Sequence, residues 1–236
     1  MKKLLGLFGA LGFIVSGGTT SISCSGWSPS GSINEGNSGD SDKNPYSIID
    51  ILKTPKESLD VFAKTKKDWN YINNLYSKER DRTKKGVEEF KEWEQNSSGE
   101  LKENYKKLRL TLEVLYLWYW IISQEADFYL YLYENKIDID YEKDENLLNN
   151  ILMINDKTKF LEVSKKTSNL YININNFSNT QDSWWNYISQ DPDFDSKKYE
   201  KEKESWEYLK NPIMSSKIDK YTKFTNKIDE YLNNMN

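Results

Sequence analysis

The sequence predicts an all-α fold, an antiparallel bundle of four to six helices that follows a leader and a flexible tether. Three observations carry this. From residue 100 to the end the chain has no glycine and only two prolines, Pro192 and Pro212, so little in it opposes long helices. Apolar residues recur there at three-to-four spacing, and no segment alternates as a half-buried strand would. Hydrophobic residues make up 37% and aromatic residues 14%, with a net charge of only −4, whereas disordered chains lack aromatics and carry more net charge. The 236 residues suit one domain with additions better than two domains.

The helices follow in order. Thr54-Pro55-Lys56-Glu57 supplies a cap, a proline at the first helical position and an acid at the third. Behind it Leu59, Phe62, Trp69, Ile72 and Tyr76 form one apolar stripe. A polar run over residues 77–86 interrupts the stripe before Val87, Phe90 and Trp93 resume it, so this is one long helix or two, ended by Asn96-Ser-Ser-Gly99. A second helix is expected over 100–134, about 50 Å long. Its centre, residues 114–122, is apolar on every side and marks the most buried helix of the bundle. Glu113 and Glu125 bracket that run and leave it too short to span a bilayer. A third helical region begins near Tyr141 and uses Leu147, Ile151, Ile154, Leu161 and Tyr171, with breaks expected near Lys157 or Asn173. A short segment over 184–188 precedes Pro192, and another helix over about 195–210 is stopped by Asn211-Pro212. The last helix starts near Ser216, with Asp219 completing a capping box, and buries Ile218, Tyr221, Phe224, Ile228 and Leu232.

The N-terminus has a different character. Lys2 and Lys3 precede an apolar segment over residues 4–15, then small and polar residues lead to Cys24. This is the order of a secretory signal, and its dozen or so apolar residues fall short of the roughly 20 that a spanning helix needs. Cys24 is the only cysteine, so no disulfide can form within one chain. Cleavage before a diacylglyceryl-modified Cys24 would anchor the mature chain, because two acyl chains hold stably where one does not. The stretch Met1-Lys-Lys-Leu-Leu-Gly-Leu-Phe-Gly-Ala-Leu-Gly12, the Thr/Ser-rich run and Cys24 resemble the leaders of mollicute lipoproteins of the spiroplasma and mycoplasma type. The resemblance covers only the leader and implies export and anchoring at the extracellular face of the cell membrane, not an activity. The chain departs from the usual lipobox in carrying Ser21 where an aliphatic residue stands three places before the cysteine. Ordinary cleavage after Ser21-Ile-Ser23, releasing a secreted protein, is the alternative. Residues 1–23 are therefore read as the signal, 24–44 as a Gly/Ser/Asn/Asp-rich tether reaching about 25 Å, and 45–236 as the helical body.

Most familiar catalytic chemistries lack their residues. The absence of histidine removes Ser-His-Asp and Cys-His mechanisms, the commonest transition-metal ligand, and the Glu-x-x-His motifs of di-iron bundles. Without glycine after Gly99 there is no phosphate-cradling loop, and no Ser-x-x-Lys occurs. Glu113 and Glu125 sit where burial would raise their pKa values, but they lie about 18 Å apart along one helix and cannot act as a pair. Arg109, one turn before Glu113, is that acid's natural partner. Asp191-Pro-Asp-Phe-Asp195 opens like a calcium loop but has Ser196 and Lys198 where glycine and an aliphatic residue belong, and an acidic helix start explains it more simply. No metal or cofactor is expected.

Trp184 and Trp185 are the candidate contact residues. Neighbours on a helix point about 100° apart, so one of the two rings is free to stack on a sugar, an aromatic ligand or a partner, unless both pack between helices. Nucleic acid is not an expected partner, because the surface is mildly acidic and loss of Lys2 and Lys3 lowers the net charge of −4 by two. The sequence thus points to a lipid-anchored surface protein with a non-enzymatic binding or structural domain. Its partners would be the membrane, through Cys24, and an extracellular protein or small ligand. Two alternatives stay open. An accessory substrate-binding subunit of a transporter predicts a sizeable pocket where an adhesin predicts an exposed apolar patch, and a carboxylate-dependent hydrolase needs two acids from different helices facing one cleft.

Overall fold

The computed structural model describes residues 59–190, 200, 203–204, 207 and 209–234. Among these there is no strand. A 3-10 turn, Leu59–Phe62, is followed by α1 (Lys66–Gln95), α2 (Gly99–Glu134), α3 (Asp144–Leu152) and α4 (Lys157–Ser189). A π-helical segment, Leu209–Met214, leads into α5 (Ser215–Asn234). The all-α bundle is as expected. Cys24, the leader and tether, the Thr54-Pro55 cap, the acids of 191–195 and much of the helix expected over 195–210 lie outside the described residues.

Helix α1 begins later than its apolar stripe suggests. Thr65 is the N-cap: its hydroxyl accepts from the Asp68 N–H at 3.2 Å and the Asp68 carboxylate accepts from the Thr65 N–H at 2.9 Å, a complete capping box. Leu59 and Phe62 sit on the separate 3-10 turn, where Leu59 is buried and Phe62 exposed. The polar run over 77–86 does not break α1, because Thr83 and Gly86 carry the buried face through it. Helix α4 is likewise continuous through Asn173, which is buried and donates to Gln124 at 2.7 Å, so residues 184–188 belong to α4 and form no separate segment. The break expected near Lys157 is real, with Asp156 capping the Lys159 N–H at 3.1 Å. Leu161 is exposed, and Phe160 and Val163 take the inward positions instead. At Asn211-Pro212 the coil is interrupted as expected, with Asn211 at the non-helical φ −130° and ψ 111°. Ser216 is the second residue of α5, which begins at Ser215.

Rungs between helices show the antiparallel order. Trp69 meets Tyr129, Tyr76 meets Trp118, and Phe90 meets Tyr105, so α1 and α2 run in opposite directions. Helix α4 also opposes α2, with Lys166 reaching Asp127, and Trp184 reaching Thr111. Helix α5 opposes α4, through Lys210 with Asp182 and Phe160 with Tyr231, and so runs parallel to α2. Within α2 no residue from 104 to 126 is exposed. Helices α1 and α4 pack along α2, and α5 meets its C-terminal part at Glu125, Phe128 and Tyr129.

Helix α2 ends in a Schellman motif written without glycine. The Ile137 N–H reaches back to the Leu132 carbonyl at 3.0 Å and the Lys136 N–H to the Tyr133 carbonyl at 3.2 Å, which places Lys136 in the left-handed region at φ 57°. A side chain there costs about 1 kcal/mol. Lys136→Gly should therefore raise unfolding stability by about 1 kcal/mol in urea titration at an unchanged m-value.

Candidate functional site

At the junction of the 3-10 turn with α2 and α5 lies a cleft of about 630 Å³. Its floor is a buried charge cluster. The Lys217 ammonium, from the first turn of α5, touches the carboxylates of both Asp60, on the 3-10 turn, and Glu125, on α2. The Tyr221 hydroxyl, one turn further along α5, donates to Glu125 at 2.8 Å. Side-chain exposures of 1% for Asp60, 5% for Glu125 and 11% for Lys217 show that water does little to screen these charges.

The cluster shapes its own ionisation. Burial pushes the Glu125 carboxyl above the usual carboxylate range; Lys217 opposes this and Asp60 adds to it. Burial alone would strip the proton from Lys217, but the two carboxylates outweigh it and hold the ammonium charged above the usual lysine range. Burial, reinforced by the nearby Glu125 charge, also raises the hydroxyls of Tyr221 and Tyr129, and Tyr221 stays protonated as the donor to Glu125.

Three near-parallel rings wall the cleft. Trp69 stacks on Tyr129 at 4.3 Å between centroids, and Tyr129 on Tyr141 at 5.5 Å. The Trp69 indole N–H donates to the Tyr141 hydroxyl at 2.7 Å, and Tyr141 pairs with Tyr133 at 2.9 Å. Nearer solvent, Lys220 pairs with Asp144 at 2.7 Å and donates to the Tyr129 hydroxyl at 2.8 Å. Phe62, Lys64 and Ser216, all exposed, complete the mouth.

The acids expected to matter meet different fates. Glu113 and Glu125 are far apart as expected, and Arg109 bridges Glu113 to Glu94 with contacts of 2.6 Å each. Glu125 instead shares a cleft with an acid from another element, Asp60, which it also touches, and Lys217 pairs with both. Neither Asp60 nor Lys217 was singled out by sequence. A signal existed, since Lys217 stands one turn before Tyr221 in the apolar stripe of α5, a cation at a core position opposite an anion at a core position of α2. Among the described residues no group of three or more acids or other ligands is placed to hold a metal.

The tryptophan pair divides. Trp184 is buried, and its indole N–H donates to Thr111 at 2.9 Å, so it belongs to the core. Trp185 is half-buried and tilted against Trp184 at 5.2 Å, lining a second cleft of about 580 Å³ with Gln181, Asp182 and Lys210. No protein-family model, curated protein or solved structure matches the chain.

Removing the cation would leave two buried carboxylates face to face. Lys217→Met should cost about 3–5 kcal/mol of unfolding stability near pH 8. The cost should shrink toward pH 5, because protonation of Glu125 relieves the repulsion. In the wild type a raised carboxyl binds a proton in the folded state that the unfolded chain has released. Stability from Glu125 therefore falls as pH climbs from the ordinary carboxylate range to its folded pKa, while the Lys217 contribution persists until pH passes the ordinary lysine range. Denaturant titrations of both proteins across this range check the signs.

Proposed function

We propose that the mature chain is a surface protein held at the outer face of the cell membrane by a lipid on Cys24, and that its helical body binds a small ligand without turning it over. The leader, the lone cysteine and the tether support the first half. The cleft carries the second. Its volume of about 630 Å³ falls in the range of small-molecule sites, and it sets a few polar groups among apolar and aromatic walls. An adhesin would favour one contiguous apolar patch. The large exposed apolar residues described, Phe62, Tyr71, Leu101, Met153, Leu161, Ile172 and Tyr231, come from different elements, with no more than two from any one. Among the described residues no helix is long and apolar enough to cross a membrane.

Binding without turnover is supported by the lack of histidine and by Lys217, which already pairs with both buried acids. A carboxylate-dependent hydrolase is the second reading, favoured by the meeting of Asp60 and Glu125 in one cleft, and it requires Lys217 to move aside. An accessory subunit that passes its ligand to a transporter is one physiological setting for the binding reading.

Two measurements test the halves separately. Intact mass of protein extracted from native membranes should show a diacylglyceryl group on an N-terminal Cys24, and Cys24→Ser should lose both that mass and detergent partitioning. An unmodified chain in the medium overturns the anchor. For binding, a thermal-shift screen of small polar metabolites should find a compound that raises the Tm by roughly 5–10 °C at a hundredfold excess over its Kd. Ser216→Trp, which plugs the mouth from an exposed position, should abolish that shift. A screen in which no compound shifts the wild type at millimolar concentration overturns the binding reading.

A further inference from the structure

We propose that Lys217 and Asp60 condense after folding into a side-chain amide bond, with Glu125 as the proton-transfer group, so that the cleft floor becomes a covalent staple. This goes beyond the binding reading and does not depend on what the cleft takes up. The Lys217 Nζ touches the Asp60 carboxylate, and the oxygen it touches is bonded to the carbon it would attack. Glu125 reaches both reacting groups, with Oε2 on Nζ and a hydrogen bond shared with Asp60. The Tyr221 hydroxyl holds its other oxygen, Oε1, at 2.8 Å. A hydrogen bond between two carboxyl groups needs a proton on one of them, because an ionised carboxylate only accepts. Burial favours Glu125 as the bearer. The trio then holds one ammonium, one carboxylate and one carboxylic acid, and is neutral as a whole.

Passing one proton from Nζ to the Asp60 carboxylate keeps that neutrality and leaves an amine beside two carboxylic acids. Deep burial of all three side chains brings this uncharged arrangement within reach. The ammonium remains the dominant form, so condensation is slow and follows folding. The ion cluster and its pH dependence described above belong to the chain before it. In the step itself the Nζ lone pair bonds to Asp60 Cγ and the bond from Cγ to its hydroxyl oxygen breaks. Glu125 gives its proton to the departing hydroxyl and takes one from the nitrogen. The products are an amide, one water, and Glu125 protonated as it began. The cleft opens over the cluster and gives that water an exit. Groups held in contact react as if at about 10⁵–10⁸ M, which is how two side chains that do not combine in dilute solution could do so here. The bond would tie the 3-10 turn to α5 and close a loop of about 160 residues, a tie that one cysteine cannot make.

Intact mass and peptide mapping of the folded full chain test the inference. After several days under native conditions the wild type should be lighter by one water, about 18 Da, while Lys217→Arg keeps its full mass. A lipid on Cys24 adds equally to every variant and leaves the comparison intact. A tryptic digest of the wild type should give a branched peptide joining residues 57–64 to residues 211–220, uncut after Lys217. Glu125→Gln keeps an acceptor for Tyr221 and Lys217 but has no proton to relay, and should form the branch about a hundredfold more slowly. Condensation of Glu125→Gln at the wild-type rate overturns the role given to Glu125. A wild type that unfolds cooperatively yet retains its full mass overturns the inference, whether or not the variants fold. So does a water loss that maps anywhere except between Asp60 and Lys217.

Discussion

Along its middle turns helix α2 exposes no residue, and the other long helices are arranged by the need to cover its buried arc. Trp118, Tyr119, Ile121 and Ser123 are all buried although they spread over a little more than half of the helix circumference, while Tyr116, Trp120 and Gln124 on the remaining side are half-buried. Helices α1 and α4 run antiparallel to α2, and α5 meets its C-terminal part. Burial of this kind is non-directional, so it sets which helices surround α2 more strongly than it sets their exact register. Polar contacts between helices refine the register: Arg109 with Glu94, Trp184 with Thr111, and Asn173 with Gln124.

The same constraint makes Glu125 consequential. A carboxylate at a core position cannot be left alone, because an unpaired charge in that environment costs more than the helix gains by burying its neighbours. Lys217 and Tyr221 on α5 satisfy it, and Asp60 on the 3-10 turn joins them. The cluster therefore ties three distant parts of the chain at one point. It does so with two carboxyls around one ammonium. The cleft opens over that cluster, with the aromatic wall of Trp69, Tyr129 and Tyr141 beside it. This coincidence of buried ionisable groups, stacked rings and open volume is why the proposed binding role is assigned here and not to the tryptophan pair, of which Trp184 serves the core.

Much of the fold was legible because helix periodicity and punctuation are local signals. The end of α1 at Asn96, the extent of α2, the break before Lys157 and the stripe of Tyr221, Phe224 and Ile228 all follow from residues within one or two turns of each other. Legibility failed where two local signals competed. Leu59 and Phe62 keep helical spacing with Trp69, yet the capping box of Thr65 and Asp68 starts the helix after them. Lys136 ends α2 in a conformation that glycine usually signals, so nothing at that residue announced it. Of the site, only Glu125 stood out, as a charge bracketing an apolar run.

By itself the sequence determined that the described body is helical, that α2 lies at its centre, and that histidine and thiol chemistry are absent from it. These depend on residue type and on spacing along one chain. Tertiary structure alone decided that Asp60, Glu125 and Lys217 share a cleft floor and that Trp184 is core while Trp185 reaches the surface. Each is a meeting of residues tens of positions apart, set by the packing of helices around α2. No periodicity within a single helix records which face of another will lie against it.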